Sequence, residues 1–179
     1  MKTKIALLFP QPKATIGAKT SKHFVNLALK SAQMVKDKDT ELIPCFPDIG
    51  NLGLEERFHH YLAYRAEKEM YEAMVQIGKQ DFDAVMIGCW MDPGFFEGRQ
   101  ALDIPVVGAA QSSALFATMM GWKFSVITLT PLVIPQQIES VERYGLKDKL
   151  VSIRSVKMPL PQQDDALINA RDLIEASSC

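Results

Sequence analysis

The 179-residue chain has no long apolar run, only three cysteines and three histidines, and no surplus of charge of either sign. Its apolar stretches stop far short of the roughly 20 residues that cross a membrane, so no spanning helix is expected. The first of them, Ile5-Ala6-Leu7-Leu8-Phe9, is too short for the apolar region of a secretory leader and is stopped by Pro10. Acids and bases, 21 against 20, are mixed along the chain and leave a net charge of -1. That balance argues against the basic footprint of a nucleic-acid binder and against a polybasic membrane patch. Cys45, Cys89 and Cys179 fit no zinc or redox spacing, and reduced thiols in the cytoplasm are the simplest reading. His59 and His60 are adjacent and so point to different helix faces, unlike an i, i+4 metal pair. Neither a glycine-rich phosphate loop nor a nucleophile-elbow motif occurs. No metal site is expected.

What is present is an ordinary globular balance, 47% hydrophobic and 23% charged. A chain this long buries roughly two-thirds of its unfolded surface without a metal or disulfide staple. Strand-like runs at 4–9, 41–46, 82–89, 104–108, 122–129 and 150–158 alternate with helix-like segments. The helical pattern covers 19–36, 54–77, 112–120 (closed by Gly121), 135–144 (stopped by Gly145) and 164–177. Strands that are apolar nearly throughout, alternating with helices, imply an α/β fold of mainly parallel sheets flanked by helices. Ligands then bind beyond the carboxyl ends of the strands. The chain ends on a helix, whereas a β-α unit normally returns to its sheet. Either the fold ends there or a C-terminal piece is missing.

The run Val85-Met86-Ile87-Gly88-Cys89-Trp90-Met91-Asp92-Pro93-Gly94 puts a thiol where a strand gives way to a loop. Backbone N–H groups at such a turn favour an anion, which would lower the thiol's pKa. The same amides could hold a substrate carboxylate. The alternative is a buried small hydrophobe, as free cysteines often are. Cys45 reads as strand core and Cys179 as a chain end. Ser112 and Ser113 could donate to a substrate or cap a helix. Thr128 and Thr130 could line a pocket or serve as ordinary strand residues. Asp92 reads as structural, pairing with turn amides or capping the helix that follows Pro93.

The segment IGCWMDPG, residues 87–94, resembles the first-cysteine motif of the aspartate/glutamate/hydantoin racemase superfamily, most closely its hydantoin racemase and Asp/Glu racemase-like branch. Asp103-Ile104-Pro105-Val106-Val107-Gly108, the loop Ala110-Gln111-Ser112-Ser113-Ala114 and the strand from Gly121 to Thr128 continue the resemblance in order. It implies two similar α/β lobes with the site between them, here an N-terminal lobe over 1–107 and a second over 108–179. It also implies a cofactor-independent isomerase in which two cysteines flank the substrate. One takes the proton alpha to a carbonyl and the other returns a proton from the opposite face. Cys89 matches the first base. The second belongs to a later strand ending in Gly-Cys, which the second lobe of this chain lacks together with its return to the first lobe. By the same resemblance Pro10, Gln11, Trp90, Met91, Ser112, Ser113, Thr128 and Thr130 bind substrate, and the protein self-associates. The family's first strand usually ends in an Asn-Pro-Asn-Thr-like turn. Phe9-Pro10-Gln11-Pro12 stands there instead, and with Trp90 it implies a more apolar pocket.

The expected function is therefore racemase-like proton abstraction and return on a small amino-acid-like or hydantoin-like substrate bearing a carboxylate or hydantoin ring. A single-cysteine decarboxylase or cis-trans isomerase of the same superfamily is the second hypothesis. A non-catalytic binding protein that keeps the fold is the third.

Overall fold

A computed structural model describes residues 2–10, 19–47 and 60–156, with side chains from 25 onward in the first helix and from 64 onward in the second. The elements run β1 (Thr3–Leu8), α1 (Lys19–Val35), β2 (Thr40–Cys45), α2 (His60–Gly78), β3 (Ala84–Ile87), α3 (Phe95–Ala101), β4 (Val106–Gly108), α4 (Ala109–Met120), β5 (Phe124–Thr128), α5 (Ile134–Arg143) and β6 (Leu150–Ser155). The expected α/β alternation with parallel sheets is what the chain forms. Gln11, His59, Cys179 and the helix expected at 164–177 lie outside the described residues, as do the side chains of His23 and His60. Among the described residues, no helix is long and apolar enough to cross a membrane.

The first four strands make one parallel sheet in the order β2-β1-β3-β4. Its register sets Leu8 against Cys45 on one side and against Ile87 on the other, and Ile87 in turn against Gly108. Strand alternation gives the two faces different jobs. Ile5, Leu7 and Phe9 pack with Leu42, Phe46 and Met86 against Val25, Ala28, Leu29 and Ala32 of α1. Full burial of a side chain such as Leu7 or Phe9 stabilises by about 1.5–3 kcal/mol. Ala6, Leu8, Val85 and Ile87, on the other face, are completely buried, and α2 contacts β1 there as well as α3. Met74 of α2 reaches over Gly94 and Gly98 at the start of α3. Arg99 fastens α3 to β4: its Nε donates to the Val106 carbonyl at 3.0 Å. Its guanidinium lies 4.1 Å from the Phe95 ring centre.

The chain divides into two compact units at the boundary between Ala110 and Gln111. In the second, β5 and β6 pair in parallel, with a register shift between Phe124 and Ser125. Ala114, Val141 and Leu146 form its core with Phe124, Tyr144 and Leu150. A short 3₁₀ turn, Pro131–Val133, leads into α5, and Gly145 ends that helix at φ 72°.

Candidate active site

A β2-β1-β3-β4 order places the second strand on one side of β1 and the third on the other. The connections leave the carboxyl edge of the sheet in opposite directions at the β1–β3 gap, and doubly wound sheets hold ligands there. Phe9 and Pro10 follow β1 at that gap, and Gly88 and Cys89 follow β3. The Gly88 N–H donates to the Leu8 carbonyl at 2.8 Å, and the Phe9 N–H to the Cys45 carbonyl at 3.0 Å. The backbone thus stays laced just past the strands. Cys89 is half-buried at this gap, not on the strand as the apolar run implies but two residues beyond its end.

Gly88 is glycine for a steric reason. A methyl group on it would lie 2.8 Å from the Phe9 ring, closer than atoms can approach. That ring is buried, packed in the core and stacked on Phe46 at 5.8 Å. Phe9 is therefore a core residue that closes the end of the sheet, not the apolar pocket wall the sequence implies. Pro10, Trp90 and Met91 are half-buried around the gap.

The turn after Cys89 departs from expectation in its amides. The Asp92 N–H donates to the Cys89 carbonyl at 3.1 Å and the Phe95 N–H to the Asp92 carbonyl at 3.2 Å. The Gly94 N–H donates to the Glu67 carboxylate of α2 at 3.2 Å. Three amides expected to face a thiolate or a substrate carboxylate are thus already engaged, one by an anion of the protein itself. Local sequence carries no sign of Glu67, 27 residues away and brought in by the packing of α2 on α3.

Asp92 holds the far side of the same turn. It is buried, at φ 44°, and its Oδ1 accepts from the Ala110 N–H at 3.0 Å. Asp92 thus satisfies one of the orphan amides at the start of α4, and a carboxylate at a helix N-terminus is also favoured by the dipole. Gly108 leaves the room: a methyl group there would run into the Asp92 carboxylate. Because α4 begins at Ala109, directly after β4, Ser112 and Ser113 lie past its cap position, and both are exposed. They do not cap the helix.

Thr128 ends β5 and is buried. Its Oγ1 accepts from Gln137 Nε2 at 2.9 Å, while Gln137 Oε1 is buried without a hydrogen-bond partner among the described residues. Thr130 caps the 3₁₀ turn, its Oγ1 accepting from the Leu132 N–H at 3.4 Å. Cys45, at the end of β2, is half-buried and directs its Sγ toward the Ile43 carbonyl at 3.6 Å. Burial raises its thiol pKa. Among the described residues no cluster of His, Cys, Asp or Glu could hold a metal ion.

A doubly wound unit with a thiol beyond the third strand, at the switch in strand order, is the class of protein this geometry defines. The chain belongs to the Asp/Glu/hydantoin racemase family, whose pattern it matches over residues 15–177. It is 30% identical over 128 residues to the hydantoin racemase of Pseudomonas sp. (strain NS671), covering 72% of this chain and 50% of that protein. It is 27% identical over 147 residues to the hydantoin racemase of Rhizobium meliloti, covering 79% and 60%. The allantoin racemase of Klebsiella pneumoniae superposes with a TM-score of 0.77 at 21% identity, over 98% of this chain and 66% of that one. At that identity the match speaks for the fold. The chain spans between half and two-thirds of the length of these relatives.

Proposed function

We propose that the chain carries the first proton-transfer base of a cofactor-independent, racemase-like isomerase, and that this base is Cys89. The substrate is a small compound with an acidic proton alpha to a carbonyl, in a hydantoin-like ring or an amino-acid-like skeleton. The names of the relatives favour the ring. The observation that carries the proposal is the position of Cys89, at the β1–β3 switch point at the carboxyl edge of a parallel sheet. Pro10, Trp90 and Met91 flank the same gap and are the first candidates to touch substrate. Gln11, Ser112, Ser113, Thr128 and Thr130 complete the proposed binding set.

The step is simple to balance. The Cys89 thiolate takes the alpha proton and becomes a thiol, and the carbon's electron pair delocalises onto the carbonyl oxygen as an enolate. Donors placed on that oxygen lower the barrier. Return of a proton from Cys89 regenerates substrate with retained configuration. Inversion needs a donor on the opposite face.

The test is incubation of one enantiomer of a 5-monosubstituted hydantoin in deuterated water, following deuterium at the alpha carbon by NMR together with optical rotation. Exchange by the wild-type chain, lowered 10²–10⁴-fold in Cys89→Ala, is the result expected of a positioned base. Exchange without loss of rotation identifies one-base chemistry, and exchange with it identifies two. A Cys89→Ala protein that exchanges at the wild-type rate ends the proposal.

A further inference from the structure

The second unit buries one side chain that its pattern does not call for. Along the Pro131–Val133 turn and α5 the inward positions recur every four residues, at Val133, Gln137 and Val141, and all three are buried. Two of them are apolar. The third is an amide, while its neighbour Ile138 is 39% exposed. An amphipathic helix does the reverse. The amide is also only half satisfied. Gln137 Nε2 donates to Thr128 Oγ1 at 2.9 Å, and Gln137 Oε1 is buried without a hydrogen-bond partner among the described residues. A buried acceptor left unpaired lowers stability. Packing and stability therefore do not account for glutamine at this position, and another reason is called for.

We propose that Gln137 is a positioning residue for the reaction proposed above and that it acts through Thr128. The proposal rests on that reading, in which Thr128 touches substrate. A hydroxyl has one proton to give and two lone pairs to receive. The amide nitrogen of Gln137 only donates, so it fills a lone pair of Thr128 Oγ1 and turns the hydroxyl proton away from itself. The Thr128 backbone is held as well: its carbonyl accepts from the Val156 N–H at 2.9 Å, and its register partner is Ser155 of β6. Among the described residues no acceptor takes the hydroxyl proton. Thr128 is the last residue of β5, and parallel sheets hold their ligands beyond that end. The missing acceptor is a ligand oxygen, the carbonyl that becomes the enolate. Donation from Gln137 also polarises the hydroxyl, which makes it a better donor as negative charge gathers on that oxygen. With an apolar side chain at 137 the hydroxyl turns freely and can offer the substrate a lone pair instead of a proton. The orphaned Oε1 is what fixing the proton's direction leaves behind.

The test is a double-mutant cycle on deuterium exchange at the alpha carbon of a 5-monosubstituted hydantoin, with kcat and KM measured separately. Thr128→Val removes the donor and should lower kcat about 10²-fold. Gln137→Met keeps the hydroxyl but not its direction. It should lower kcat about 10-fold with KM nearly unchanged. Its melting temperature should stay close to wild type, because one hydrogen bond and one orphaned oxygen disappear together. The double variant should match Thr128→Val alone, about 10²-fold down, whereas independent losses would multiply to about 10³-fold. Gln137→Glu supplies a readout that a merely structural role would not move. Its carboxylate draws the Thr128 proton to itself, and protonation restores a donor, so its rate relative to wild type should climb as pH falls. Should that variant fail to fold, the methionine cycle decides alone. Losses that multiply, a Gln137→Met rate equal to wild type, or a folded Gln137→Glu whose relative rate is flat in pH each overturn the proposal and leave the proton-transfer reading standing. A wild-type chain that exchanges no deuterium overturns both.

Discussion

The Asp92 carboxylate ties the turn after Cys89 to the first turn of α4, and its worth follows from two observations. Its Oδ1 accepts from the buried Ala110 N–H at 3.0 Å, and its backbone sits at φ 44°. Asp92→Ala removes the acceptor, a hydrogen bond to a charged group worth about 1.5–3 kcal/mol. It also forces alanine into the left-handed region at about 1–2 kcal/mol, for a total of about 2.5–5 kcal/mol. Asp92→Gly loses the acceptor but adopts the backbone freely, and should cost about 2 kcal/mol. Asp92→Asn keeps an oxygen acceptor and tolerates the left-handed region, losing only the charge assistance, about 1 kcal/mol. The order of stability is therefore wild type, Asn, Gly, Ala. Urea midpoints at constant slope give the differences. For a chain of this length the alanine variant should melt about 5–20 °C below wild type. An alanine variant as stable as the asparagine one, or a glycine variant below both, would refute the reasoning.

Gly88→Ala drives a methyl group to 2.8 Å from the Phe9 ring. It should destabilise by about 1–3 kcal/mol, and Phe9→Leu in the same chain should cost less than the sum of the two single changes; strict additivity would place the clash elsewhere. Ser112→Ala and Ser113→Ala should each change stability by no more than about 0.5 kcal/mol, against about 1 kcal/mol if either capped α4, and thermal melts decide between these. Burial raises the Cys45 pKa, so the folded thiol holds its proton more tightly than the unfolded one. Its contribution to stability is complete below the unfolded thiol's pKa and is lost as pH rises through the folded value. Iodoacetamide should therefore label Cys45 more slowly than a peptide thiol at pH 8–9, as read by peptide mapping; equal rates would contradict the burial argument.

The alternation of strands and helices was legible because parallel strands buried on both faces read as continuous apolar runs, and because Gly121 and Gly145 stop their helices locally. The thiol's place was legible only to within two residues: the apolar run extends through Cys89, whereas β3 stops at Ile87. Other features were set by residues distant in sequence. The start of α4 was expected at Ser112, where a local capping rule finds its residue. The acceptor is instead Asp92, 18 positions before Ala110, so the helix begins at Ala109 with no loop after β4. The amides of the 89–95 turn were expected to face a ligand, and Glu67 reaches one of them only through the packing of α2 on α3. Phe9 stands where the family has a polar residue and so suggested a pocket wall. Its ring packs inward because strand alternation puts it on the face that α1 covers.

The central place of β1 has a consequence for synthesis on the ribosome. Its second neighbour, β3, pairs Leu8 with Ile87, a partner 79 residues further along the chain. At about 5–20 residues per second, the first strand waits roughly 4–16 seconds after emerging before that edge can be covered. A nascent chain halted before β3 would leave the amides and carbonyls along one edge of β1 unpaired, and protection from premature aggregation matters most in that interval.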